Sequence, residues 1–224
     1  MSPPSVVVFD VNETLSDLSP MAQRFTDVGA PQHLAKLWFA SLLRDGFALA
    51  AAGASAPFAE IGRGVLRTLL TGVPLDRPLE DAIDHVLAGF SGLGVHSDVV
   101  DGVRSLRGLG LRLVTLSNGS ASVAETLLTS AGVRGEFEAL LSVEDAGVWK
   151  PAAGAYQYAA ERCGVPVAEL MLVAVHPWDV DGAVRAGLRG AWLDRAGAPY
   201  PAYLREPTYR AASLTELAAQ LAGA

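Results

Sequence analysis

Apolar residues along this chain fall into two rhythms. Ser5-Val-Val-Val-Phe9 is a short, continuous apolar run rich in β-branched residues, the pattern of a strand buried on both faces. From about Val95 similar runs alternate with helical patterns. Leu111–Leu116 reads as a strand, Ala121–Ala131 as a helix stopped by Gly132, and Phe137–Val143 as a weaker strand. Ala152–Cys163 reads as a helix closed by Gly164, and Leu170–Val175 as a strand. Asp179–Ala186 is a helix ending at Gly187, Gly190–Leu193 a strand, and Leu214–Leu221 a last helix. Ser213 is its N-cap, with Glu216 three residues on. Ala196–Pro207, with three prolines and two tyrosines, reads as an ordered loop. Strands alternating with helices predict an α/β fold, a parallel sheet covered by helices on both faces.

Pro20 to Gly94 breaks that rhythm. It shows no strand pattern and reads as helices over Gln32–Ala51, Phe58–Leu70 and Leu79–Phe90, punctuated by Gly72, Pro74 and Pro78. A helical block between the first strand and the rest of the sheet predicts an inserted helical cap domain. The boundaries read as 1–17 with 95–224 for the core and 18–94 for the cap. No internal repeat or low-complexity linker interrupts either part.

Composition narrows the classes of function. Half of the 224 residues are hydrophobic and only 18% are charged, which suits a folded chain with a sizeable core. A net charge of −7 without a basic cluster argues against a nucleic-acid groove, though a locally positive pocket can still take an anionic substrate. No apolar run reaches the roughly 18 residues of a membrane span. Phe47–Ala59 comes nearest and is broken by Gly53, Ser55 and Pro57. The opening residues lack a basic, apolar leader, so a soluble cytoplasmic protein is expected. Cys163 is the sole cysteine, which leaves no intrachain disulfide or zinc cluster to build. Fifteen arginines stand against two lysines, Lys36 and Lys150. A lysine kept in that background points to work for a compact point charge.

In open parallel sheets ligands bind beyond the carboxyl ends of the strands, so the residues just after each strand matter most. Asp10 follows the first strand. It reads either as a turn or cap aspartate or as a nucleophile or metal ligand, with Thr14 able to bond its carboxylate. Ser117-Asn118-Gly119 follows the second strand, an ordinary helix start or an anion cradle. Lys150-Pro151 precedes the fourth helix, with Pro at its first turn. Lys150 is then a solvated lysine or a cation that holds a carboxylate ionised. Asp179 opens a helix after His176-Pro-Trp178, with Asp181 less central. His176 reads as a structural histidine or a pocket wall, Trp178 as core or pocket lining.

Taken in order, Asp10-Val-Asn-Glu-Thr14, Ser117-Asn118, Lys150-Pro151 and Asp179 resemble the four motifs of the haloacid-dehalogenase superfamily. The resemblance spans nearly the whole chain, helical cap included. It implies a Rossmann-like core in which Asp10 is the nucleophile, Ser117 the second-motif hydroxyl, Lys150 the third-motif lysine and Asp179 the fourth-motif acid. Phosphatases of the superfamily usually carry a general acid two residues past the nucleophile, where this chain has Asn12. Their Gly-Asp pair before the last acid is Ala174-Val175 here, so Mg²⁺ is poorly provided for.

The chain is more similar to the (S)-2-haloacid dehalogenases, which use no metal and need no acid because a halide leaves without a proton. That resemblance implies an aspartyl ester on Asp10, with Thr14, Ser117 and Asn118 positioning the carboxylates or the halide. Lys150 then stabilises the Asp10 anion, Tyr156 and Trp178 line the site, and Asp179 orients Lys150 or water. It also implies a small-molecule substrate, no cofactor and a possible homodimer. The chain departs from the pattern in four places. The branch usually has Tyr at the position of Asn12, and Ser and Asn at those of Ala174 and His176. Its cap arginine, which follows a Trp, aligns with Phe39 after Trp38. Arg44, the nearest arginine, lies about 7.5 Å further along that helix and about 140° around it. Two other readings stay open: a Mg²⁺-dependent phosphatase of the superfamily, and a catalytically silent binding module, which would have no need of both Asp10 and Lys150.

Overall fold

The structure, a computed structural model, describes residues 4–223. Residues 1–3, the start of the segment read as lacking a leader, lie outside them. The chain divides into two compact units. One runs to Ser16 and resumes at Gly94, and the other is Asp17–Leu93.

The first unit holds one six-stranded, wholly parallel sheet in the order β3-β2-β1-β4-β5-β6. Its strands are β1 (Val6–Phe9), β2 (Arg112–Ser117), β3 (Ala139–Ser142), β4 (Leu170–Ala174), β5 (Arg189–Leu193) and β6 (Tyr209–Ala211). Every residue of β1 and β4 is buried, as expected of unbroken apolar runs covered on both faces. Phe9, the last residue of β1, stands in register with Thr115 on one side and Val173 on the other, while β2 runs two residues further and β4 one. The strand order reverses between β1 and β4, the topological switch point beyond whose carboxyl ends open α/β sheets bind their ligands. Helices α5 (Val99–Gly108), α6 (Ala121–Ser130) and α10 (Leu214–Ala222) pack Val103, Leu106, Leu127, Leu128, Leu214 and Leu217 onto Val7, Phe9, Leu113 and Val173. Gly102 permits the close approach of α5 to α10, because a Cβ there would lie 2.3 Å from Leu214 Cβ. The short α7 (Val143–Ala146), α8 (Ala153–Cys163) and α9 (Pro177–Arg185) complete the unit.

The second unit contains α1 (Met21–Thr26), α2 (Leu34–Ala51), α3 (Phe58–Leu70) and α4 (Leu79–Ser91), and no strand among the described residues. Its interior is aromatic. Trp38 meets Phe90 edge-on at 5.5 Å, Phe90 stacks on Phe58 at 5.3 Å, and Phe39 lies 6.4 Å from Phe58.

Several expectations need correction. Helix α9 begins at Pro177, so Asp179 is its third residue rather than its first. His176 caps the helix in an extended conformation, proline fits the first helical position, and Asp179 N already donates to His176 O. Helix α8 begins at Ala153, leaving Pro151 outside its first turn, and the Lys150–Pro151 peptide is cis. The sequence pattern also passes over α1, α5, α7 and β6. Two of these are single turns or a little more, and β6 is a three-residue edge strand with Arg210 exposed. No helix among the described residues is long and apolar enough to cross a membrane.

Candidate active site

Asp10 leaves β1 at the switch point, its N–H still bonded to Val173 O at 3.0 Å. The chain then turns sharply, with Leu15 N and Ser16 N both donating to Val11 O. That turn brings the Thr14 hydroxyl back onto Asp10 Oδ2 at 2.7 Å, while Thr14 Oγ1 accepts from Val175 N at 3.1 Å. Lys150 does not follow a strand directly, since α7 intervenes. Nor is it solvated: its side chain is 0% exposed. The Asn118 side chain fixes its backbone, accepting from Lys150 N at 3.0 Å and donating to Lys150 O at 3.3 Å.

The Lys150 ammonium lies between two carboxylates. It donates to Asp10 Oδ1 at 2.9 Å and to Asp179 Oδ2 at 2.6 Å. Tyr156 OH donates to Asp179 Oδ1 at 2.6 Å. All four carboxylate oxygens of Asp10 and Asp179 are therefore occupied by donors of this chain. Two carboxylates so buried are sustained only by a partner charge at hydrogen-bond distance.

The electrostatics separate the two acids. Burial alone would push the Asp10 carboxyl up. The Lys150 ammonium, the His176 imidazole and the Thr14 hydroxyl outweigh it, so the group lies below the ordinary aspartate range. Asp179 moves the other way: burial, reinforced by the Asp10 charge, outweighs Lys150 and Tyr156 and raises it. Burial would lower Lys150, but the two carboxylates reverse this and raise it. Burial, then the Asp179 charge, lifts Tyr156 well above its usual value, so it stays a neutral donor. With an ionised Asp10 held against a charged lysine, the site can present a carboxylate oxygen as a nucleophile.

The other expected residues divide. Ser117 is buried and its Oγ accepts from Gly119 N at 2.9 Å. Asn12 is buried, and its carbonyl lies 3.2 Å from His176 Nε2. His176 also stands 3.7 Å from Asp10 Oδ2 and stacks on Trp178 with ring centroids 5.1 Å apart. Of the cap residues, Trp38 is wholly buried with Nε1 donating to Gly62 O, and Phe39 is buried beside it. Arg44 has a side chain 70% exposed and paired with its neighbour Asp45.

Sequence reasoning missed His96, Asp98, Arg195 and Gly182. Arg195 follows β5 at the same edge of the sheet, so the strand-end rule already pointed at it. Gly182 leaves room for Tyr156, whose hydroxyl would lie 2.6 Å from an added Cβ. Nothing in its local sequence signals that role.

A lysine held between two buried carboxylates thus lies at the switch point of a parallel sheet whose chain carries a helical insert after its first strand. The chain belongs to the haloacid dehalogenase-like hydrolases, whose family model matches residues 4–187. It is 29% identical over 219 residues to an (S)-2-haloacid dehalogenase of Pseudomonas putida, covering 94% of this chain and 93% of that one. The crystal structure of an L-2-haloacid dehalogenase superposes with a TM-score of 0.91 at 29% identity, covering 99% of this chain and 100% of the other. That of a dehalogenase with an intermediate complex gives 0.91 at 25% identity, over 99% of each chain.

Proposed function

We propose that this hydrolase removes halide from small (S)-2-haloacids through an ester on Asp10. One Asp10 carboxylate oxygen attacks C2, and the halogen leaves with the bonding pair as halide. Water then adds to the Asp10 ester carbonyl, and the ester breaks to a 2-hydroxy acid of inverted configuration, a proton and the free carboxylate. Lys150 keeps Asp10 ionised, and Thr14 fixes its second oxygen. Asn118 holds Lys150 in place, while Ser117 shapes the same edge. Tyr156 orients Asp179, which directs Lys150 and the hydrolytic water. Asn12, His176 and Trp178 border the substrate in the core; Trp38 and Phe39 pack the interior of the second unit and Arg44 stands at its surface, so none of these three is assigned to the substrate.

The observation that carries this reading is the Asp10–Lys150–Asp179 cluster with every carboxylate oxygen already taken. Mg²⁺ demands near-octahedral oxygen ligands at about 2.0–2.1 Å, and a donor set already closed around an ammonium does not fit it. The amide of Asn12 supplies no general acid, which suits a halide and not an alkoxide. The proposal therefore includes no cofactor. A cytoplasmic homodimer completes it, the dimer being checked by light scattering.

The test is halide release from (S)-2-chloropropionate in EDTA. Asp10→Asn is expected to lower it by more than about a thousandfold without loss of fold. Wild-type-like release from that variant, with deamidation excluded by mass, would remove Asp10 as nucleophile. No release from folded protein, with hydrolysis of phosphate esters in Mg²⁺, would favour the phosphatase reading.

A further inference from the structure

Three consecutive carbonyls of the turn after β1 each meet a side chain from a different element. His176 Nε2 lies 3.2 Å from Asn12 O, and His96 Nε2 lies 2.9 Å from Glu13 O. Arg195 Nη2 donates to Thr14 O at 3.0 Å. His176 is the cap of α9, His96 stands just before α5, and Arg195 lies two residues past β5. A carbonyl only accepts, so each imidazole carries its hydrogen on Nε2, and the contact is the same whether the ring is neutral or charged. Arg195 is itself anchored. Its Nη1 donates to Asp98 Oδ1 at 2.7 Å, and Asp98 Oδ2 accepts from Leu214 N at 2.7 Å, tying the turn to the starts of α5 and α10.

The turn has need of such support. Glu13 sits at φ 63°, in the left-handed region that residues with a Cβ seldom occupy. Beyond it, the Thr14 hydroxyl sets Asp10 Oδ2. Any drift of the Thr14 main chain is passed directly to the carboxylate.

We propose that His96, His176 and Arg195 form a three-point clamp on the Asn12–Thr14 carbonyls that positions Asp10 for attack. They are positioning residues, acting through the backbone and Thr14. The inference rests on Asp10 being the nucleophile, so its test carries one readout that needs no turnover.

His96→Leu and Arg195→Met each remove a clamp donor, and His96→Gln restores one. For the first two, kcat on (S)-2-chloropropionate is expected to fall roughly 10- to 100-fold with KM held within about twofold, and His96→Gln recovers most of it. Hydrogen exchange at the Leu15 and Ser16 amides is expected to quicken at least about tenfold in His96→Leu while the amides of β4 stay unchanged. Should Arg195→Met fail to fold, Arg195→Lys keeps the charge beside Asp98 and gives up the Thr14 carbonyl. Unchanged exchange at Leu15 and Ser16 overturns the clamp. So does a fall in kcat that merely tracks the unfolded fraction at the assay temperature. If the wild-type chain releases no halide, the exchange measurement alone decides, and failure of the dehalogenase reading is told apart from failure of the clamp.

Discussion

Lys150 of the first unit and Arg44 of the second carry the same formal charge in opposite surroundings. Lys150 is 0% exposed and bonded to two carboxylates from distant parts of the chain, whereas Arg44 is 70% exposed and paired with the next residue. The contrast extends to the units around them. The first buries Asp10, Lys150 and Asp179 and satisfies each one. The second buries phenylalanines and a tryptophan and leaves its ion pairs, such as Arg67–Glu80, at the surface. In one unit a charge is specified by what it touches, so exchange of a single partner strands another. In the other, apolar shape is specified and surface charge is not.

Lys150→Met is the strongest way to break this contrast. It leaves two buried carboxylates without their cation, and is expected to abolish halide release and to destabilise the fold by about 3–5 kcal/mol. Denaturant unfolding checks it, and a wild-type midpoint would refute the argument. Phe39→Ala probes the other unit through packing alone. It is expected to cost about 3 kcal/mol, read from the same unfolding curves.

Tyr156→Phe sharpens the contrast within the site. Loss of a hydrogen bond to a charged group is expected to cost roughly 1.5–3 kcal/mol. The pH profile carries more information. Asp179 is raised above the ordinary aspartate value of 3.8 and Asp10 is lowered from it, so as pH falls Asp179 takes up its proton first. The acid limb of kcat/KM is then expected to have its midpoint above 3.8. The Tyr156 hydroxyl holds Asp179 down, so its removal is expected to move that limb to higher pH. A limb that stays in place would detach Asp179 from turnover. Arg44→Ala is the smallest change, with neither halide release nor the unfolding midpoint expected to shift. Lost release at unchanged stability would put Arg44 at the substrate.

The strand-end rule made much of the site readable, because Asp10, Ser117-Asn118 and His176–Asp179 each stand beside a strand whose apolar run is plain in the sequence. Lys150 stands out in the sequence by its rarity, though its burial is not legible there. Nothing near it in sequence announces two carboxylates 140 and 29 residues away. Tyr156 entered only through family resemblance. The clamp was invisible for the same reason as Lys150's burial: His96 reaches back 83 residues and Arg195 reaches back 181 to meet backbone atoms, which carry no residue-specific signal. Elements of one turn, such as α7, escaped because too few residues repeat for a period to show.

Ser16 and Val95 form an antiparallel bridge, and His96 N donates to Leu15 O at 3.0 Å, so the chain leaves for the insert and returns through one narrow neck. A neck of that kind makes the core indifferent to what it carries. Doubling the length of the excursion adds only about 0.6 kcal/mol of closure cost. Helical inserts of other lengths can thus be grafted between the same two residues while the sheet beneath keeps its register.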